Sequence, residues 1–84
     1  MASVTVRYRG ELAALTGRTE ESVEAAAVRD IMKYIKSSYG ALAEKKAKSM
    51  LIAVDGESML LRRGFATPLK GGETVQFLPM CGGG

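Results

Sequence analysis

The sequence predicts an α+β fold, a mixed four- to five-stranded sheet with one main helix. Three stretches carry that prediction. Residues 3–9 alternate, with Val4, Val6 and Tyr8 on one side and Thr5, Arg7 and Arg9 on the other, the period of a half-buried strand. Residues 28–38 set Val28, Ile31, Met32 and Ile35 at helical spacing, Tyr39 continues the stripe, and Arg29, Lys33 and Lys36 lie off it. Residues 74–78, Thr-Val-Gln-Phe-Leu, read as a last strand that Pro79 ends. A helix with a single apolar stripe must bury it, so the helix is expected to cover one face of the sheet.

The remaining segments fall between these three. Gly10 breaks the first strand, and residues 11–15 have the composition of a helical turn closed at Thr16-Gly17. Residues 18–25 read as a second strand, with Val23 as its apolar anchor. Gly40 stops the main helix, and residues 41–48 form either a short helix or a loop. The continuous apolar run 50–54 reads as a central strand, with Asp55-Gly56 as the turn behind it. Residues 58–61 can return as a short strand. Residues 66–73 are punctuated by Pro68, Gly71 and Gly72 and read as a connection. Gly71-Gly72 is a tight turn; a phosphate loop needs wider glycine spacing and a Lys-Ser/Thr pair, and this segment has neither.

This order of elements fits the β-grasp arrangement. A hairpin-like pair is followed by a right-handed crossover helix, and the first and last strands lie side by side at the sheet centre. The expected core is Val4, Val6, Tyr8, Val28, Ile31, Ile35, Ile52, Val54, Val75 and Phe77. If Val75 and Phe77 point inward, Gln76 and Leu78 point outward, because side chains alternate along a strand. Leu78 and Met80, with Arg7 and Phe65, are therefore the expected partner-binding face.

Composition excludes several functions. At 84 residues the chain is one small domain, too short for a deep enzyme pocket beside a core. A self-contained enzyme is therefore not expected. The net charge of +3 is scattered along the chain and does not interleave with the three Tyr and two Phe, which argues against nucleic acid. Lys45-Lys46-Ala47-Lys48 reads as a solvated surface segment, with docking to an acidic partner as the alternative. A single Cys rules out an internal disulfide. The absence of His rules out His-bearing metal sites and Ser-His-Asp or Cys-His nucleophilic sites within the chain, and no metal is expected. No apolar run reaches membrane-spanning length and no signal peptide is read, so no membrane partner is expected and cytoplasm is the default.

The chain ends in Cys81-Gly82-Gly83-Gly84. Glycines lack a β-carbon, so such a tail can thread a narrow cleft. Residues 1–80 are read as the β-grasp domain and residues 81–84 as a flexible tail. Nothing basic adjoins Cys81 in sequence to lower its pKa, so it reads as a small residue tolerated in the tail. The alternative is a thiol that forms a thioester or a disulfide with a partner.

Four patches occur in an order that resembles a known family: Val4-Thr5-Val6-Arg7-Tyr8, Val28-Arg29-Asp30-Ile31, Ile52-Ala53-Val54-Asp55-Gly56-Glu57, and residues 68–79 from Pro-Leu-Lys-Gly-Gly-Glu to Phe-Leu-Pro. With the terminal glycines, they resemble the ubiquitin-like sulfur carriers of the MoaD/ThiS family. The length is most similar to that of the MoaD branch, the small subunits of molybdopterin synthase. The chain departs from the pattern at three places. Met80-Cys81 stands where the family commonly has a second Pro and a small residue, a third glycine is present, and Gly72 replaces an Asp.

The resemblance implies a non-catalytic protein cosubstrate. An E1-like adenylyltransferase would use ATP to activate the Gly84 carboxylate, and a sulfur donor would convert it to a thiocarboxylate. Gly82 and Gly83 would give clearance in the partner's channel. The sulfur would go to a molybdopterin synthase large subunit or another sulfur-accepting enzyme. No cofactor would be held by this chain. Alternatives are sulfur delivery to thiamine, cysteine or another metabolite, a ubiquitin-like protein modifier, or a plain β-grasp binding module.

Overall fold

The computed structural model describes residues 2–79. Its element order is β1 (Ala2–Arg7), α1 (Gly10–Thr16), β2 (Glu20–Ala25), α2 (Val28–Tyr39), α3 (Ala41–Lys48), β3 (Leu51–Val54), β4 (Glu57–Ser58) and β5 (Thr74–Leu78). Two 3-10 turns, Met59–Leu61 and Gly64–Ala66, lie between β4 and β5. The sheet has five strands in the order β2-β1-β5-β3-β4. β1 pairs antiparallel with β2 and parallel with β5, and β5 pairs antiparallel with β3. This is the ubiquitin-like β-grasp fold, with the first and last strands adjacent at the centre.

The helices cover one face. Every residue expected in the core is buried there, and Leu12, Val23, Met50, Met59 and Leu69 join them. Tyr39, at the end of the expected stripe, is only half-buried, because its ring packs edge-on against Tyr8 and Tyr34 and its hydroxyl reaches Glu21. The start of α2 is fixed by Asp30, whose Oδ2 accepts from the N–H groups of Ala26 (2.9 Å) and Ala27 (3.1 Å). These bonds, the Ala26 one foremost, hold the Asp30 carboxyl below the usual range. Residues 41–48 form a helix because Ala43 and Ala47 are buried against the core.

Several boundaries differ from expectation: β1 is Ala2–Arg7 instead of residues 3–9, β3 starts at Leu51 instead of residue 50, and two further differences have a local cause. β2 begins at Glu20, because Gly17 takes a left-handed φ of 73° and Thr16 Oγ1 ties the turn to Arg18. The return strand after Asp55-Gly56 is only Glu57–Ser58; Ser58 Oγ then accepts from Leu60 N–H and starts a 3-10 turn. Asp55 sits at φ 50°, and its side chain accepts from Thr74 N–H at 2.9 Å, which locks this turn to the start of β5.

Candidate functional site: the outer sheet face and the chain exit

β5 joins the core to the outer face of the sheet. Val75 and Phe77 are fully buried, while Thr74, Gln76 and Leu78 point to the opposite face, which no helix covers. Strand register sets their neighbours. Gln76 lies between Arg7 of β1 and Ala53 of β3, and Leu78 lies opposite Leu51 of β3. The outer face is therefore divided. Toward β3 it is apolar, with Leu78, Leu51 and Ala53. Toward β2 it is polar, with a Ser3–Ser22 hydroxyl pair at 3.0 Å and an Arg7–Glu20 ion pair at 3.4 Å. Both partners of that ion pair are about half exposed, so it adds little stability and leaves Arg7 able to exchange partners.

β5 leads out of the sheet at Pro79. Gly10 stands beside it with a left-handed φ of 59°, and a Cβ there would sit 3.4 Å from Pro79 Cγ. The two residues line a hollow of about 310 Å³ with Glu11, Lys46, Ser49 and Met50. Lys46 and Glu11 pair at 3.4 Å on its rim. Pro79 thus stands at the sheet end beside the α1–α3 pair.

On the covered side, Glu21 accepts hydrogen bonds from Tyr8 (2.6 Å), Tyr34 (2.7 Å) and Tyr39 (2.8 Å). Burial alone would raise this carboxyl, but the three phenols and Arg18, 3.7 Å away, outweigh it and leave it below the ordinary glutamate value. Burial, then the Glu21 contact, pushes the Tyr8 and Tyr39 phenols up. The cluster ties β1, β2 and α2 together. All three phenol protons are donated to the one carboxylate.

The structure brings Arg7 and Leu78 of the expected face together with Gln76. Phe65, 39% exposed, stands on the 3-10 turn that packs against α2, where Val28 N–H donates to Thr67 O. Met80, Gly82, Gly83 and Gly84, and Cys81 with them, lie outside the described residues. Sequence reasoning missed Leu51, because a continuous apolar run hides which member faces out. It also missed Leu60 and Leu61, which are about three-quarters exposed. Among the described residues no group of three or more His, Cys, Asp or Glu could hold a metal ion. No described helix is long and apolar enough to cross a membrane.

Among curated proteins, nothing matches. Among solved structures, the small archaeal modifier protein 1 of Methanosarcina acetivorans superposes with a TM-score of 0.85 at 25% identity, over 100% of this chain and 98% of that one. The Amycolatopsis orientalis BexX/CysO complex contains a chain with a TM-score of 0.82 at 22% identity, covering 96% and 99%. The complex of subunits 1 and 2 of the Helicobacter pylori molybdopterin-converting factor gives 0.70 at 21%, covering 98% and 99%. The latter two likenesses are of fold. The family model described as ThiS family matches residues 6–84, nearly the whole length from within β1 to the last glycine, and the chain belongs to the ThiS family.

Proposed function

We propose that this protein is a sulfur carrier whose reactive group is the carboxylate of Gly84. The observation that carries this reading is the position of β5. The strand that precedes the glycine tail is clamped between β1 and β3 at the sheet centre, so residues 80–84 continue from a rigid base. The ThiS-family match extends through those residues.

A carboxylate is a poor electrophile. Attack of its oxygen on the α-phosphorus of ATP, with departure of pyrophosphate, gives an acyl adenylate. A sulfur nucleophile then adds to the carbonyl carbon and AMP leaves. The catalytic groups come from an E1-like partner, and the chain contributes the acyl group and a surface to be gripped. Leu78, Leu51 and Arg7 are assigned to that surface; Phe65, on the turn packed against α2, does not join them. Delivery in molybdopterin cofactor synthesis is the favoured route, supported by the likeness to a molybdopterin-converting factor subunit. Delivery to another sulfur-accepting enzyme is consistent with the likeness to a chain of the BexX/CysO complex.

The test is intact mass after incubation with ATP, the cognate E1-like enzyme and a sulfur source. The native chain should gain the mass of one oxygen-to-sulfur exchange, and a chain extended by one residue after Gly84 should not. Equal gain by an untrimmed extended chain would overturn the reading. Deleting Gly84 shortens the tail by roughly 3.5 Å, enough to misplace the reacting carbon and depress the rate. The likeness to a small archaeal modifier protein favours a second reading, in which the activated Gly84 is joined to protein amines. Lysine-linked conjugates in cell extracts, without a thiocarboxylate, would decide for it.

A further inference from the structure

The sheet has two free edges, and they differ. β4 is two residues long and runs straight into a 3-10 turn, so it offers almost no ladder. β2 is six residues long. The direction of its backbone groups follows from the bonds around it. Tyr8 N–H donates to Thr19 O at 2.9 Å, whereas Thr5 N–H turns to Glu73 O on the other side of β1. With the register Val6↔Glu21 and Val4↔Val23, the backbone groups of Glu21, Val23 and Ala25 face β1. Those of Glu20, Ser22 and Glu24 face away from the sheet. All three residues are exposed, and among the described residues no hydrogen bond is made to their outward N–H groups. An unpaired row of this kind is a template for an added strand.

Charge selects what can fill it. Glu20 and Glu24 carry their carboxylates on the same side of the strand, with Ser22 between them. Among the described residues, Arg7 pairs only with Glu20, and Glu24 has no cation within salt-bridge distance. A second copy is a poor occupant. The antiparallel self-pairing that uses all three outward residues sets Ser22 against Ser22 and Glu20 against Glu24 twice, and like charges directly opposite repel. We infer that the β2 edge is a docking edge for an extended segment of a partner protein with Lys or Arg at alternate positions. Main-chain bonds to Glu20, Ser22 and Glu24 would hold the segment, and its cations would meet the two carboxylates. β1 separates this edge from β5, so a partner seated here leaves Leu78 and the chain exit uncovered. The inference does not depend on the sulfur-carrier reading.

Because the partner is unidentified, the probe is an octapeptide of alternating Lys and Val, compared with its Glu-for-Lys counterpart. The readout is the amide spectrum of isotope-labelled protein. The Lys peptide should shift the Ser22 and Glu24 amides and slow their exchange with solvent. The Glu peptide should bind at least tenfold more weakly. Ser22→Pro removes an outward N–H without touching the ladder to β1, so it should abolish the shifts while the melting temperature stays near that of the parent. If that variant unfolds, Glu24→Lys serves instead and should weaken the Lys peptide roughly fivefold. Equal binding of the two peptides, no response, or shifts located elsewhere would overturn the inference. So would a dimer in sedimentation that Glu24→Lys strengthens, since a second copy would then be the occupant.

Discussion

The two faces of the sheet are made by the same strands and differ in nearly everything else. On β5, Val75 and Phe77 have no exposed surface, while Gln76 and Leu78, one residue away, stand partly in solvent. On β1, Val4 and Val6 are buried and Arg7 is exposed. The covered face holds the domain together through apolar packing and one fully bonded carboxylate. Among the described residues the open face carries only partly exposed cross-strand pairs, such as Ser3–Ser22 and Arg7–Glu20, and no helix. A substitution should therefore cost stability or binding according to the parity of its position along the strand.

The largest effect tests the covered face. Phe77→Ala should destabilise the domain by about 3–5 kcal/mol and Ile31→Ala by about 2–5 kcal/mol. In a domain of this size either lowers Tm by roughly 10 °C or more in a thermal melt. An unchanged Tm would show that these side chains are not core. Glu21→Gln comes next, at about 1–2 kcal/mol near neutral pH, as charge-assisted bonds become neutral ones. Its signature is pH dependence. Glu21 is depressed in the folded state, so its contribution is present above the ordinary value of 4.5 and is lost as pH falls through the lower folded value. Urea melts of Glu21→Gln should therefore show a weaker acid-side decline than the parent; parallel curves would remove Glu21 from the account. On the alkaline side the raised Tyr8 and Tyr39 phenols act with the opposite sign. Their contribution holds below the ordinary value of 10.0 and fades above it.

The smallest effect on stability, and the most informative contrast, belongs to Leu78→Asp. It sits next to Phe77, yet it should shift stability by less than about 1 kcal/mol, because its side chain faces out. It should weaken binding to the E1-like enzyme by about tenfold or more in calorimetry. Full affinity in a folded variant would rule out this face.

How much of this was legible in the sequence depends on which interactions are local. The alternation in β1 and the stripe in α2 are periodic signals, and the residues they nominated are buried except Tyr39, which is half-buried. The β-grasp order followed from the sequence of elements. The tyrosine–Glu21 cluster did not, because Tyr8, Glu21, Tyr34 and Tyr39 converge only in three dimensions. Leu51 was hidden by its apolar neighbours. Leu60 and Leu61 were read as part of a return strand, whereas Ser58 caps a 3-10 turn that turns both outward. That Arg7 and Leu78 lie on the open face of the sheet was legible through strand parity alone.

The place of β5 has a consequence for how the domain forms. Without residues 74–78 the sheet is two separate ribbons, β1–β2 and β3–β4, with nothing between them. The ladder that joins the ribbons pairs Thr5 with Thr74 and Val6 with Val75, across most of the chain. Contacts of such separation are formed slowly, because loop closure precedes any gain from them. A ribosome that has released only the residues before β5 therefore holds a chain with no strand to join its two ribbons and no complete sheet for its short helices to pack on. Cooperative folding therefore waits for the last strand, and the outer face is complete only on chains whose synthesis has passed β5.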